Sequence, residues 1–168
     1  MKKLIYLTAI LLGFLSLAQG PLHIYNYSSY DLRGRLYASA PNSSNCLPEV
    51  FVVYNVPAGQ MVEIKSFNLS NIANPPINMW NVRTGSTATQ VSVPSGILVT
   101  MGNITRWHFY WFATWYPGTN NQTPDPDFNM GENFCMTGSH DYVYGVLTQS
   151  KWYYEPTTNE TTIIISDI

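Results

Sequence analysis

The sequence predicts an all-β fold, an antiparallel β-sandwich or jelly-roll-like domain held by one disulfide, and three observations carry that prediction. Apolar residues recur with a period of two along most of the chain, and no ten-residue window shows a helical period. Clusters of Pro, Gly, Asn and Ser divide these runs into about nine or ten short strands. Finally, the chain carries two cysteines, Cys46 and Cys135, behind a leader that directs it to an oxidising compartment.

The leader has a basic start at Lys2 and Lys3, an apolar run from Leu4 to Leu17 and small residues at Ser16 and Ala18. Cleavage after Ala18 satisfies the small-residue requirement, whereas a cut after Gly20 would place Pro21 on the scissile bond. Residues 1–18 therefore read as a signal peptide and residues 19–168 as a single β-sandwich domain beginning at Gln19. An uncleaved anchor would need about 20 apolar residues, and Thr8, Gly13 and Ser16 interrupt a shorter run. No later stretch of the mature chain is long and apolar enough to be a transmembrane segment. The expected location is outside the cytoplasm, extracellular or periplasmic.

Each element has its own signature. Leu22–Tyr27 opens the domain, and in Asp31–Ala38 the alternation of Leu32, Gly34, Leu36 and Ala38 with Arg33, Arg35 and Tyr37 reads as one face on a core and one in water. Glu49–Val56 and Gln60–Phe67 flank Val56-Pro57-Ala58-Gly59, which is turn chemistry and predicts a hairpin. Val50-Phe51-Val52-Val53-Tyr54 is apolar on both faces, as expected for a strand covered on both sides. Further strands are expected at Ile77–Val82, Gly96–Met101, Arg106–Tyr116, Asp141–Thr148, Lys151–Tyr154 and Thr161–Asp167, with Pro117–Asn133 as a long loop. The terminal strands could pair within one molecule or exchange between subunits.

Composition narrows the function. Charged residues make up 11% of the chain, against about 25% in typical soluble domains. Without Lys2 and Lys3, six basic side chains face ten acidic ones, a net charge of −4 with His neutral. Scattered cations argue against nucleic acid, whose phosphates are bound by clustered Lys and Arg. Asp31, Arg33 and Arg35 read as a solvated strand face. A Cys46–Cys135 bond closing about 90 residues stabilises by about 4–5 kcal/mol in the chain-entropy model.

Catalytic signatures are sparse. Ser139-His140-Asp141 contains the residue types of a hydrolytic triad, but neighbours on extended backbone point to opposite faces, so no catalytic residue is assigned. His23, His108 and His140 lack ligand spacing for a metal. Asp125, Asp127 and Asn129, with Glu132 behind them, offer oxygen ligands of the kind calcium prefers. Counting from Asp125, however, the glycine is seventh and Met136 twelfth, where an EF-hand needs its glycine sixth and a glutamate twelfth. No cofactor is otherwise expected. Asn-x-Ser/Thr triplets at Asn26, Asn42, Asn68, Asn103, Asn121 and Asn159 would accept glycans in a eukaryotic secretory pathway.

The most distinctive segment is Arg106–Tyr116, which holds three of the five tryptophans. Strict alternation puts Trp107, Phe109, Trp111, Ala113 and Trp115 on one side, with Trp107 and Trp111 expected in the core and Trp115 and Tyr116 emerging near the loop. The expected ligand-binding residues are Trp115, Tyr116, Asn120 and Asn121, presented with Asp125, Asp127 and Asn129 by the loop Tyr116–Asn133. The sequence thus points to a secreted, non-enzymatic protein of extracytoplasmic recognition or assembly, whose partner is a protein or glycan, itself included. A carbohydrate-binding module is the first alternative and a small secreted hydrolase the second.

Overall fold

The structure, a computed structural model, describes residues 19–41 and 43–168, so the expected leader and the triplet at Asn42 lie outside the described residues. Two sheets pack face to face. The larger has the order β6 (Ala88–Ser92), β5 (Met79–Arg83), β3 (Glu49–Val56), β2 (Asp31–Ser39), β7 (Arg106–Trp115), β8 (Phe128–Gly131). The smaller runs β4 (Met61–Ile64), β1 (Leu22–Asn26), β11 (Glu160–Asp167), β10 (Thr148–Glu155), β9 (Tyr142–Tyr144). Pairing is antiparallel except between the terminal strands: β1 lies parallel to β11, with Leu22 opposite Thr161 and Asn26 opposite Ile165. The ends of the domain are thus joined within one chain.

The core forms where inward rows of the two sheets meet. Leu22 and Ile24 of β1, Leu32 and Leu36 of β2, Ile163 and Ile165 of β11 and Phe112 of β7 are fully buried. At one end Phe67, Trp80 and Trp107 form an edge-on aromatic knot, with ring centroids 4.9 Å (Phe67–Trp80) and 5.0 Å (Phe67–Trp107) apart. Their polar tips are satisfied: Trp80 Nε1 donates to Ser70 Oγ at 2.9 Å and Trp107 Nε1 to the Gly20 carbonyl at 3.0 Å. The Cys46–Cys135 disulfide is present, with the two Cα atoms 5.5 Å apart.

Four sequence expectations are corrected. The turn at Val56–Gly59 exists, with Gln60 N donating to Pro57 O at 3.3 Å, but it joins no hairpin. Both edges of β3 are taken, by β2 and β5, so the chain crosses to the other sheet and β4 pairs with β1. Asn26 steers that crossing: its buried amide donates to Tyr30 O, Val56 O and Pro57 O, which also leaves its triplet no free nitrogen to carry a glycan.

The expected strand Gly96–Met101 is instead the helix α1 (Gly96–Ile104). Ser95 is its N-cap, accepting from Ile97 N at 3.2 Å, and Leu98 and Met101 supply the buried stripe. A 3₁₀ turn at Phe67–Ile72 and strand β6 also went unread. Third, β8 sits inside the expected loop, which shrinks to residues 116–127. Fourth, the outward face of β3 is covered only in part, since Val53 is 62% exposed.

Candidate functional site

The site lies on the outer face of the six-stranded sheet, and a β-bulge in β7 creates it. Opposite β2, Phe109 pairs with Tyr37 but Trp107 pairs with Ala38, so His108 is an extra residue. A bulge reverses the alternation on one side of itself relative to the other. Trp107 therefore faces inward with Tyr110 and Phe112, whereas Phe109, Trp111, Ala113 and Trp115 face outward. The neighbouring strand is shaped to match: Gly131, at φ +152°, lies so close that a Cβ there would be 2.0 Å from His108 O. The expectation that Trp107 and Trp111 share a buried face is thereby corrected; Trp107 is fully buried and Trp111 is 37% exposed.

Along that outer face the two ends differ. Near the disulfide, Tyr37 stacks on Phe51 and lies tilted against Phe109, and Phe134, one residue before Cys135, covers His108 with ring centroids 5.0 Å apart. His108 Nε2 lies 2.9 Å from Ser39 Oγ, both side chains being buried. Burial, with Arg106 adding to it, lowers the imidazole pKa to about 3, so the ring is neutral at ordinary pH. A Ser–His pair can be a nucleophile and its base, but both side chains are buried here, and among the described residues His108 Nδ1 has no partner to orient it.

At the other end the face is open and forms a cleft of about 470 Å³. Two rungs cross it. Val53, Arg35, Trp111 and Asn129 lie side by side on β3, β2, β7 and β8, and Asn55, Arg33 and Ala113 form the next rung. Ala113, the small residue between Trp111 and Trp115, makes the floor. Three residues stand between Trp111 and Trp115, a backbone span of about 13 Å. Gln122 and Asp127 close the loop side, Gln122 Nε2 donating to Asp127 Oδ1 at 3.3 Å.

The two arginines play different parts. Arg33 stacks over the Trp115 ring at 4.7 Å and donates to Thr119 O at 2.6 Å and Asn120 Oδ1 at 3.3 Å, tying the loop to the sheet. Arg35 is exposed and has no hydrogen-bond or ion-pair partner among the described residues. Its five N–H donors are free for a ligand.

No family model, curated protein or solved structure matches this chain. The cleft itself must carry the functional argument.

Of the sequence-predicted residues, Trp115 and Asp127 line the cleft, and register places Asn129 beside Trp111. Tyr116 packs edge-on against Tyr30, 5.6 Å between centroids, outside the lining. Asn120 holds Arg33, and the Asn121 carbonyl accepts from Tyr116 N, so both shape the loop rather than line the cleft.

Asp125 is buried. Its Oδ1 accepts from Val146 N and Leu147 N, and its Oδ2 from Thr114 Oγ1 and Thr148 Oγ1. Burial alone would raise its pKa, but these hydrogen bonds together hold the carboxyl below the usual range. It pins the loop to the turn before β10, and of the acidic residues expected to bind calcium only Asp127 reaches the cleft. Among the described residues no three or more His, Cys, Asp or Glu side chains gather as a metal site.

Ser139, His140 and Asp141 border a second hollow of about 540 Å³. The Ser139 hydroxyl donates to Asn133 Oδ1 at 2.8 Å, and Glu132 in the same wall is ion-paired with Arg106.

Sequence reasoning missed Arg33, Arg35, Asn55 and Trp111. A signal existed in the spacing Trp-x-Ala-x-Trp, a small residue between two large ones on one strand face, opposite the two arginines taken as a solvated face.

Proposed function

We propose that this is a secreted recognition protein that binds a carbohydrate chain along the Trp111–Trp115 cleft without cleaving it. The observation that carries the reading is an open groove lined by Trp111 and Trp115, whose backbone positions lie about 13 Å apart along the strand, with planar polar side chains around them. Sugar rings present apolar C–H faces that stack on indole and hydroxyls that suit forked donors and carboxamides. Arg35, Asn55 and Gln122 supply such groups here. The free guanidinium of Arg35 favours sugars that carry a carboxylate, which it can hold with two parallel N–H bonds. Among the described residues a single carboxylate, Asp127, lines the cleft, whereas hydrolysis with two carboxylates needs a pair flanking the bond.

The test is a glycan array followed by titration calorimetry. Binding of an oligosaccharide longer than one ring, weakened at least tenfold in Trp111→Ala and Arg35→Ala and leaving the sugar uncut, supports the proposal. Full affinity in both variants, or no bound glycan at all, removes it.

Assembly is the second reading, and a different face favours it. The outer face of the five-stranded sheet exposes Tyr27, Met61, Tyr142, Tyr144 and Tyr153, residue types enriched in protein interfaces. Since β1 and β11 pair within the chain, such assembly would join faces rather than exchange strands. A mass by light scattering that rises with concentration would favour it.

A further inference from the structure

The segment before β1 is held more tightly than a free chain end. Gln19 N donates to Gly102 O at 2.6 Å, Gly20 O accepts from Trp107 Nε1 at 3.0 Å, and Pro21 O accepts from Thr161 N at 3.0 Å. Gly20 has no room for a side chain, because a Cβ would lie 2.1 Å from Asn159 O. Gln19 is only 9% exposed, yet among the described residues neither its Nε2 nor its Oε1 has a hydrogen-bond partner. A primary amide brings two N–H donors and a carbonyl, and burying them unsatisfied is unfavourable. Leu98, Val99 and Gly102 stand beside Gln19 together with Ser66, Asn68 and Asn103, and none of these bonds its side-chain amide.

Cleavage after Ala18, as the leader predicts, turns Gln19 N into an α-amine. At neutral pH much of it would carry a positive charge beside the orphaned amide, in a site where burial of an unpaired charge is costly. One reaction removes the charge and the orphaned N–H donors together.

We propose that the mature protein begins with pyroglutamate at position 19. The α-amine lone pair attacks Cδ of its own side chain, the N–Cδ bond forms, the Cδ–Nε2 bond breaks, and Nε2 leaves as ammonia with a proton taken from the amine. No oxidant or reductant takes part. The lactam is uncharged and keeps one N–H, so the donation to Gly102 O survives, while both orphaned donors of Nε2 are gone. Closure takes place on the newly cut chain before β1 seats, and folding then buries the ring against α1 and the segment that holds Ser66 and Asn68. The consequence is an N-terminus that aminopeptidases do not open, at the point where Gly20 joins the Trp107 aromatic knot.

The proposal rests on the cleavage position and is independent of the cleft. It is tested by expressing the full precursor in a secreting host and sequencing the N-terminal peptide of the secreted protein by mass spectrometry. The expected peptide starts at residue 19, is lighter by one ammonia than its Gln form and yields to pyroglutamyl peptidase only after unfolding. A synthetic peptide with the same Gln start, carried through the same work-up, must stay open. A secreted chain starting at Gln19 with a free amine overturns cyclisation while leaving the cleavage intact. A chain starting at any other residue overturns the cleavage and the proposal with it. Removal of the lactam from native protein at the unfolded rate overturns its burial.

Discussion

The two ends of the outer face of the six-stranded sheet are built from the same strands, β2, β3 and β7, and have opposite fates. At the disulfide end Tyr37 packs against Phe51, Phe109 and His108, and Phe134, next to the Cys46–Cys135 bond, covers His108. At the other end Val53, Arg35 and Trp111 stand in the same rows with nothing over them. Each end carries aromatic side chains, Tyr37, Phe51 and Phe109 at one and Trp111 and Trp115 at the other, so aromatic content does not decide which becomes core and which becomes site. A covering segment decides, and that segment comes from a loop distant in sequence. The open end is also floored by Ala113 and bounded by Arg33 and Arg35, giving an amphipathic groove where the closed end has a small second core.

The comparison would break first at the tryptophans. Trp107, behind the bulge, fills the aromatic knot, and Trp107→Ala should cost about 3–5 kcal/mol through the cavity it leaves. Urea midpoints at constant m-value measure this. If Trp107→Ala is as mild as an exposed substitution, the bulge has been assigned to the wrong place and the two faces of β7 must be exchanged.

That bulge also marks the limit of what could be read from the sequence. The alternation of β2, the placement of β1 and β11, the disulfide and the sandwich class were all legible, because they follow from local period and from two cysteines with one pairing. The fate of Trp111 was not, since one extra residue at His108 reverses the side on which each aromatic falls, and no property of Arg106–Tyr116 alone announces it. The crossover after Val56 was hidden for a similar reason. Pro57 and Gly59 specify a turn, but the partner strand depends on which edges of β3 are already filled. Within the site, Trp115 and Asp127 were found from the loop, whereas Arg33, Arg35 and Asn55 needed the register of three strands. Asp125 was misread as a ligand because a buried carboxylate capping backbone amides has the same local sequence as an exposed one.

A smaller effect separates the two ends by pH. The closed end holds His108 with its pKa lowered to about 3 by burial and by Arg106, against 6.5 for the free side chain. The folded value lies below the unfolded one, so between these limits the unfolded chain binds the extra proton. Stability from this group is therefore intact above about pH 6.5 and is lost as pH falls toward 3, at up to about 1.4 kcal/mol per unit. Glu49 and Glu132 work in the opposite sense: burial raises their pKa values against the lowering by Arg83 and Arg106, so they favour the fold as pH falls through those raised values. The variant His108→Gln retains a hydrogen-bonding group for Ser39 Oγ and removes the titration. Its stability should fall less steeply between pH 6.5 and 4 than that of the parent, and parallel curves by denaturant melts would show that His108 is not the buried neutral ring described.

The smallest effect on stability is the one that most sharpens the comparison. Trp111 is 37% exposed and packs over a sheet face that is already wet, so Trp111→Ala removes partial burial without opening a closed cavity. We expect a loss of about 1 kcal/mol or less, well below that for Trp107→Ala, which stands four residues earlier on the same strand. Arg35→Ala, which removes no hydrogen bond or ion pair among the described residues, should lie within about 0.5 kcal/mol of the parent. A large residue whose removal is so mild is held outward at the expense of burial elsewhere, and an unpartnered guanidinium beside it has no structural reason to be there. Tryptophan fluorescence supplies the independent readout: an added quencher such as acrylamide should reach Trp111, so the parent should show a quenchable component that Trp111→Ala lacks. If instead Trp111→Ala destabilises as strongly as Trp107→Ala and leaves quenching unchanged, the groove is closed in solution and its two ends are one core.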